Sequence, residues 1–153
     1  MPTDTITLCE LTIRYTAMTD AVGHPLAMGL RLTSPLNAVA TLMTILQDEA
    51  AEVFGMLCLS TKRDVIAYHV VSRGALDATT VHPREVFKAA LLVNSAGVIL
   101  AHNHPSGDPT PSPDDVQLTR RLVDAGTVLG VDVLDHIIIG AGRWFSFRQA
   151  GRL

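Results

Sequence analysis

The sequence predicts a single α/β domain built around one mixed β-sheet. Strand-like and helix-like segments alternate along the chain, which is typical of α/β architecture. Several strand-like segments are almost entirely apolar, as expected of strands that are buried on both faces of a sheet. The chain has 153 residues, of which 48% are hydrophobic. This length and composition fit one ordinary domain with a continuous core.

The regular pattern begins at Ser34. Residues 5–18 mix threonine with isoleucine and leucine, which favours an extended strand, whereas residues 20–33 contain glycine and proline and are predicted to be irregular. Ser34 and Pro35 supply a capping hydroxyl and a proline at the first helical position, so they predict a helix start. Residues 1–33 are therefore interpreted as an N-terminal extension of the domain.

The rest of the chain alternates between predicted strands and helices. Strands are predicted where apolar and β-branched residues run between polar turns, and helices where a capping residue precedes proline and apolar residues recur at helical spacing. In chain order the predicted elements are a strand at 53–59, a strand at 65–71, a helix opened by His82-Pro83, a strand at 97–101, a helix opened by Ser112-Pro113, a strand at 131–139 and a strand at 144–147.

Residues 102–115 contain the candidate functional site. His102 and His104 flank one residue at the end of a predicted strand, so alternation places both side chains on the same face. Asp115 falls in the first turn of the following helix, and its carboxylate can turn back toward the strand end. Two imidazoles and one carboxylate suit Zn²⁺ and leave a fourth position open, which is typical of a catalytic site.

Each of these residues also has a purely structural interpretation. A His-x-His pair arises by chance, Asp115 is favoured in a first helical turn by the helix dipole, and Ser112 is a good N-cap in any helix. Because spacing, strand end and helix start agree, the combination favours the metal interpretation.

A metal-dependent hydrolase also needs a general base that takes a proton from water. Glu49 and Glu52 are the upstream candidates. Glu52 comes directly before the buried strand at 53–59, where an acid can point into a site built on the sheet. Glu49 falls near a helix end and is expected to be solvated, so Glu52 is preferred.

The motif resembles that of a known superfamily. Residues 102–108 read HNHPSGD and are followed by Ser112 and Asp115, a pattern similar to the JAMM motif of the JAB/MPN metalloproteases. The flanking sequences VHPRE at 81–85 and LDHIIIG at 134–140 resemble the RadC branch of that superfamily.

The resemblance implies a fold, an activity and a role for each site residue. The fold would be a single JAB/MPN domain of the cytidine-deaminase-like type, with its motif-bearing part at about 34–153. His102, His104 and Asp115 would hold Zn²⁺, Glu52 would act as general base and acid, and Ser112 would stabilise the oxyanion. The implied reaction is hydrolysis of a peptide or isopeptide bond, with a peptide or protein conjugate as substrate.

Two other functions are weighed against hydrolysis. RadC-like proteins have been associated with DNA repair and mobile elements, but the 12 basic and 15 acidic side chains argue against direct nucleic-acid binding, and no helix-hairpin-helix pattern is recognised. A binding scaffold without metal is disfavoured because the full ligand set is present. The N-terminus lacks a leader pattern and the chain lacks a long apolar run, so the expectation is a cytoplasmic protein without a membrane span.

Several other polar and sulfur-containing residues have limited or open interpretations. Cys9 and Cys58 form no disulfide framework, and Cys58 is expected to be buried. His82 is expected to cap its helix. The interpretation of His136 stays open between a buried histidine with a neighbouring partner, which is favoured, and a group near the metal. Ser106 and Asp108 could contact substrate or shape the loop.

Overall fold

The structure, a computed structural model, describes residues 10–19, 30–74 and 81–153. Within these ranges three helices flank one five-stranded sheet. The elements are α1 (Pro35–Leu46), β1 (Val53–Leu59), β2 (Val65–Arg73), α2 (Pro83–Leu92), β3 (Gly97–Asn103), α3 (Pro113–Leu129), β4 (Asp132–Ile139) and β5 (Trp144–Ser146). No helix in the described ranges is long and apolar enough to cross a bilayer.

The sheet is mixed, as the sequence predicts. Its strand order is β2-β1-β3-β4-β5. Strand β1 pairs antiparallel with β2 and β3, β3 pairs parallel with β4, and β4 pairs antiparallel with β5. The parallel pair requires a crossover connection, which α3 supplies. Every residue of β1 and β3 is buried, which explains their almost uninterrupted apolar sequences.

The core has one cluster on each face of the sheet. On one face, α1 packs through Leu42 and Leu46 against residues such as Leu57 and Ile99. On the other face, α2 and α3 pack through side chains such as Phe87 and Leu122. The fold is therefore an α/β/α arrangement, consistent with a JAB/MPN domain.

All three predicted helix starts are confirmed, and side-chain capping contacts are seen at two of them, α2 and α3. Helix α2 begins after His82, whose Nδ1 accepts a hydrogen bond from the Arg84 backbone N–H at 3.1 Å. Helix α3 begins after Ser112, whose Oγ accepts from the Asp115 N–H at 3.1 Å. It ends at Gly130, which adopts a left-handed conformation with φ of 70°, a geometry that favours glycine.

Three strand predictions need correction. Strand β3 continues through His102 and Asn103 instead of ending at residue 101, and β2 continues to Arg73 instead of ending at residue 71. The strand predicted at 5–18 is wrong for residues 10–18, which have no regular secondary structure and are mostly exposed. Strand-favouring composition produces a strand only where a neighbouring strand pairs with the backbone. The rest of that prediction, and the irregular region predicted at 20–29, lie outside the described residues, while 30–33 are irregular as predicted apart from an isolated bridge at Arg31.

Candidate metal centre

The predicted site residues meet at one edge of the sheet. Strand β3 ends at Asn103, between the two histidines, and α3 begins at Pro113 with Asp115 in its first turn, so the end of β3 and the start of α3 lie at the same end of the fold. Because β1 runs antiparallel to β3, with Phe54 paired to His102, the segment before β1 lies beside the end of β3. This register brings Glu52 to the histidines from a distant part of the sequence.

Four donor groups face one another at this edge. The Nε2 atoms of His102 and His104 are 3.0 Å apart. Asp115 places Oδ1 3.2 Å from Nε2 of His102 and Oδ2 3.4 Å from Nε2 of His104. Glu52 Oε1 is farther away, 4.0 Å from Nε2 of His104. The potential ligand atoms of Glu52, His102 and His104 all lie within 4.8 Å of one another.

Hydrogen bonding determines which nitrogen of His104 faces this centre with a lone pair. Its Nδ1 is 2.7 Å from the carbonyl oxygen of Asp108. A carbonyl only accepts hydrogen bonds, so Nδ1 must carry a proton. In the neutral ring, Nε2 is therefore unprotonated and directs its lone pair at the centre.

A chain of three hydrogen bonds assigns the tautomer of His102 in the same way. The hydroxyl of Thr119 donates to the Asp115 carbonyl at 2.6 Å, so it must accept from Nδ1–H of His136, also at 2.6 Å. Burial, reinforced by the neighbouring His102, holds the pKa of His136 well below its usual value, so this ring is neutral and its Nε2 accepts. His102 Nδ1 therefore donates to His136 at 2.8 Å, which leaves Nε2 of His102 with a lone pair.

Aromatic rings pack against His102 and His136, the two fully buried histidines of the site. Phe54 stacks on His102, with ring centroids 5.8 Å apart, and Phe147 stacks on His136 at 5.0 Å. Both histidines have no solvent-exposed surface. The rings restrict rotation of the imidazoles and keep water from the inner side of the centre.

The electrostatics favour a cation at this centre. Burial opposes ionisation of Asp115, but an imidazole of His102 or His104 that gains a proton on Nε2 would donate to the carboxylate, and this interaction lowers the pKa of the Asp115 carboxyl far below the usual value. The same interaction with Asp115 raises the pKa of His104, so without another cation the ring takes up a proton at this centre more readily. Two lone pairs and a carboxylate that converge in this way are stabilised by a positive charge between them.

The donor separations also fit a metal ion. Ligand bonds of about 2.0–2.1 Å at tetrahedral angles place donor atoms about 3.3 Å apart. The separations of 3.0, 3.2 and 3.4 Å among His102, His104 and Asp115 are close to this value. The 4.0 Å from His104 Nε2 to Glu52 Oε1 is longer than these three separations.

Ser112 and Asp115 form two reciprocal hydrogen bonds at the start of α3. The Ser112 backbone N–H donates to Asp115 Oδ2 at 2.7 Å, and the Ser112 hydroxyl oxygen accepts from the Asp115 N–H. This reciprocal pair fixes the carboxylate toward the histidines. The cap that the sequence predicts at Ser112 is thus part of what orients Asp115.

The remaining polar residues of the motif region have local partners. Asp108 accepts hydrogen bonds from the backbone N–H and hydroxyl of Thr110, and Ser106 Oγ is 3.4 Å from the Asp108 N–H, so both shape the loop. His136 is the group whose importance the sequence underestimates. A single histidine within the apolar strand β4 was a visible signal, but its partner could not be identified without the sheet order.

Comparison with known proteins agrees with the fold and the motif. A family model described as the RadC-like JAB domain matches residues 32–152. The chain belongs to this RadC-like JAB domain family.

Several curated relatives are similar to the same region. A UPF0758 protein of Methanosarcina barkeri is 48% identical over 121 residues, which is 79% of this chain and 53% of that protein. A UPF0758 protein of Caldanaerobacter subterraneus is 48% identical over 120 residues, 78% of this chain and 52% of that protein. One from Symbiobacterium thermophilum is 55% identical over 102 residues, 67% of this chain and 44% of that protein. The chain thus spans about half the length of these relatives, whose names state no activity.

Proposed function

We propose that the domain is a zinc-dependent hydrolase that cleaves a peptide or isopeptide bond. The observation that carries this proposal is the convergence of two imidazole lone pairs and one carboxylate at 3.0–3.4 Å, with a second carboxylate at 4.0 Å. Three donors with one open side are typical of catalytic sites, whereas structural sites are closed by a fourth protein ligand.

His102, His104 and Asp115 are the proposed ligands. Nitrogen and carboxylate donors in this ratio suit Zn²⁺. When bound, Zn²⁺ would polarise the amide carbonyl and lower the pKa of a water molecule to about 7. Asp115 is preferred over Glu52 as the third ligand because its oxygens lie closer to both histidine nitrogens.

Glu52 is the proposed general base and acid. Its carboxylate would accept a proton as the water oxygen attacks the carbonyl carbon. It would then donate that proton to the amine nitrogen as the carbon–nitrogen bond breaks, so that no net proton is gained or lost. The 4.0 Å distance from Glu52 Oε1 to His104 Nε2 supports this role, since the acid lies beside the proposed ligands but farther from His104 than Asp115 does.

Ser112 is the proposed donor to the carbonyl oxygen as negative charge develops there. Its Oγ already accepts from the Asp115 N–H, which orients the hydroxyl while leaving its proton for a further acceptor. Removing one such donor in other hydrolases costs about 100- to 1000-fold in kcat.

The test combines metal content with the Glu52→Gln variant. We expect the purified protein to retain about one zinc per chain and to hydrolyse members of a library of fluorescence-quenched peptides and isopeptide-linked conjugates. Glu52→Gln should keep the zinc and lose about 100- to 10,000-fold in kcat.

Glu49→Gln is the matched control, because Glu49 lies nearby but its side chain pairs with Arg73 at 2.6 Å. Its rate should stay within about threefold of the wild type, as expected for a change away from the reacting atoms. A protein that retains no zinc, or a Glu52→Gln variant as active as the wild type, would refute the proposal.

A further inference from the structure

We infer that Asn103, the residue between the two histidines, is a positioning residue for Glu52. The inference rests on the proposed function, in which Glu52 carries the proton. It follows from where the Asn103 side chain points and from what it binds.

Alternation along β3 directs Asn103 away from the metal centre. The side chains of His102 and His104 lie on the α3 face of the sheet, so Asn103 points to the opposite face. There it meets the segment that connects α1 to β1, which contains Glu52.

Asn103 binds this segment on both sides of Glu52. Its Nδ2 donates to the carbonyl oxygens of Glu49 at 3.1 Å and Ala51 at 3.0 Å. Its Oδ1 accepts from the Val53 backbone N–H at 2.7 Å. The peptide groups directly before and after Glu52 are thereby bound to one side chain.

The side-chain amide of Asn103 makes three hydrogen bonds, all of them to backbone groups. Both donors and the carbonyl oxygen are engaged, and the residue is 3% exposed. The segment to which Asn103 is hydrogen-bonded, residues 47–52, lies between α1 and β1 and forms neither helix nor strand. Gly74 N–H also donates to the Glu52 carbonyl at 2.8 Å, from the β2 side.

The arrangement links the proposed base to the proposed ligands through adjacent residues. His102 and His104 would hold the metal, and Asn103 between them holds the backbone that carries Glu52. A small displacement of that backbone would therefore move the carboxylate relative to the ligands, and misplacement of a catalytic group by about 1 Å can cost about 100-fold in rate.

Ser95 offers a matched control at the other end of the same strand pair. Its Oγ is also buried, accepts from the Leu59 N–H at 3.0 Å and donates to the Gly97 carbonyl at 2.6 Å. It anchors the end of β1 far from the metal centre. Loss of Ser95 tests what a buried side chain–backbone anchor contributes to structure alone.

The experiment compares Asn103→Ala, Asn103→Asp and Ser95→Ala in the zinc-loaded chain. Asn103→Asp keeps the acceptor for Val53 but places an oxygen against two carbonyl oxygens, so it preserves shape while removing the donor. For both Asn103 variants we expect zinc affinity within about threefold of the wild type, kcat at least about tenfold lower and KM within about twofold.

Amide hydrogen exchange provides a readout that does not need activity. In Asn103→Ala the Val53 amide should exchange at least about tenfold faster than in the wild type, because its acceptor is gone. In Ser95→Ala the faster exchange should appear at Leu59, while kcat stays within about twofold of the wild type.

Two results would overturn the inference in an active protein: unchanged Val53 exchange in Asn103→Ala, or a loss of kcat in both Asn103 variants no larger than in Ser95→Ala. Failure of the proposed function looks different, since the wild type and Glu52→Gln would then be equally inactive on every substrate. That outcome would overturn both proposals together.

Discussion

Replacing His136 by leucine tests how the fold prepares His102 to bind metal. His136 is fully buried and accepts a hydrogen bond from His102 Nδ1 at 2.8 Å. Leucine fills a similar volume between Phe54 and Phe147 but offers no acceptor. The His102 Nδ1–H would be buried without a partner, and the alternative tautomer, with its proton on Nε2, would become more favourable.

The expected loss of zinc affinity follows from the one N–H that loses its acceptor, that of His102 Nδ1. Thr119 keeps its own hydrogen bond to the Asp115 carbonyl at 2.6 Å, so the substitution leaves one buried N–H unsatisfied. Such a group costs about 1–3 kcal/mol. Loss of a hydrogen-bond partner behind a metal-binding histidine typically lowers metal affinity about 10- to 100-fold, which is the same range.

The measurement is a zinc competition titration against a chromophoric chelator. His136→Gln is the matched control, since its side-chain oxygen can occupy the position of Nε2 and accept from His102, so it should retain most of the affinity that His136→Leu loses. Unfolding of the metal-free variants separates a general loss of stability from a loss of affinity. A His136→Leu variant that binds zinc as tightly as the wild type would refute the tautomer argument.

Two further predictions concern close packing and a buried thiol. A Cβ added at Gly140 would lie 2.4 Å from the backbone oxygen of Gly107, which belongs to the loop between His104 and Ser112. A Cβ added at Gly126 would lie 2.4 Å from the backbone oxygen of Val131, away from the metal centre. Alanine at either position should destabilise the fold by about 1–3 kcal/mol in denaturant unfolding, but only Gly140→Ala should also weaken zinc binding. Burial raises the pKa of the Cys58 thiol to about 11, so its contribution to stability is present below pH 9 and is lost as the pH rises toward 11. In a Cys9→Ser background, Cys58 should react with a disulfide reagent at pH 8 only as fast as the protein unfolds, and rapid labelling of the folded protein would contradict its burial.

The elements predicted best are those determined by residues close together in the sequence. The starts of α1, α2 and α3 each follow from a capping residue and a proline. The buried strand β1 follows from seven consecutive residues that are all apolar or glycine. Capping and burial patterns act over one or two turns, so they can be recognised without knowing the partners in the fold.

Predictions that depend on distant partners were less complete. The segment at 10–18 mixes threonine with leucine and isoleucine, a strand-favouring composition, but it is not a strand, because no strand pairs along it within the described residues. The interpretation of His136 remained open because its partners, His102 and Thr119, lie on other elements. The role of Asn103 toward Glu52 had no signal in the sequence beyond its place between two histidines.

The sequence by itself determined the fold class, the family resemblance and the group of residues that could bind metal, because these depend on residue types and short spacings. The tertiary structure decided how those residues meet. The antiparallel register of β1 and β3 brings Glu52 beside the histidines, and the parallel pairing of β3 with β4 puts His136 behind His102. Sheet register is a long-range property set by core packing and strand pairing together, so no local pattern within any one of these strands could have specified it.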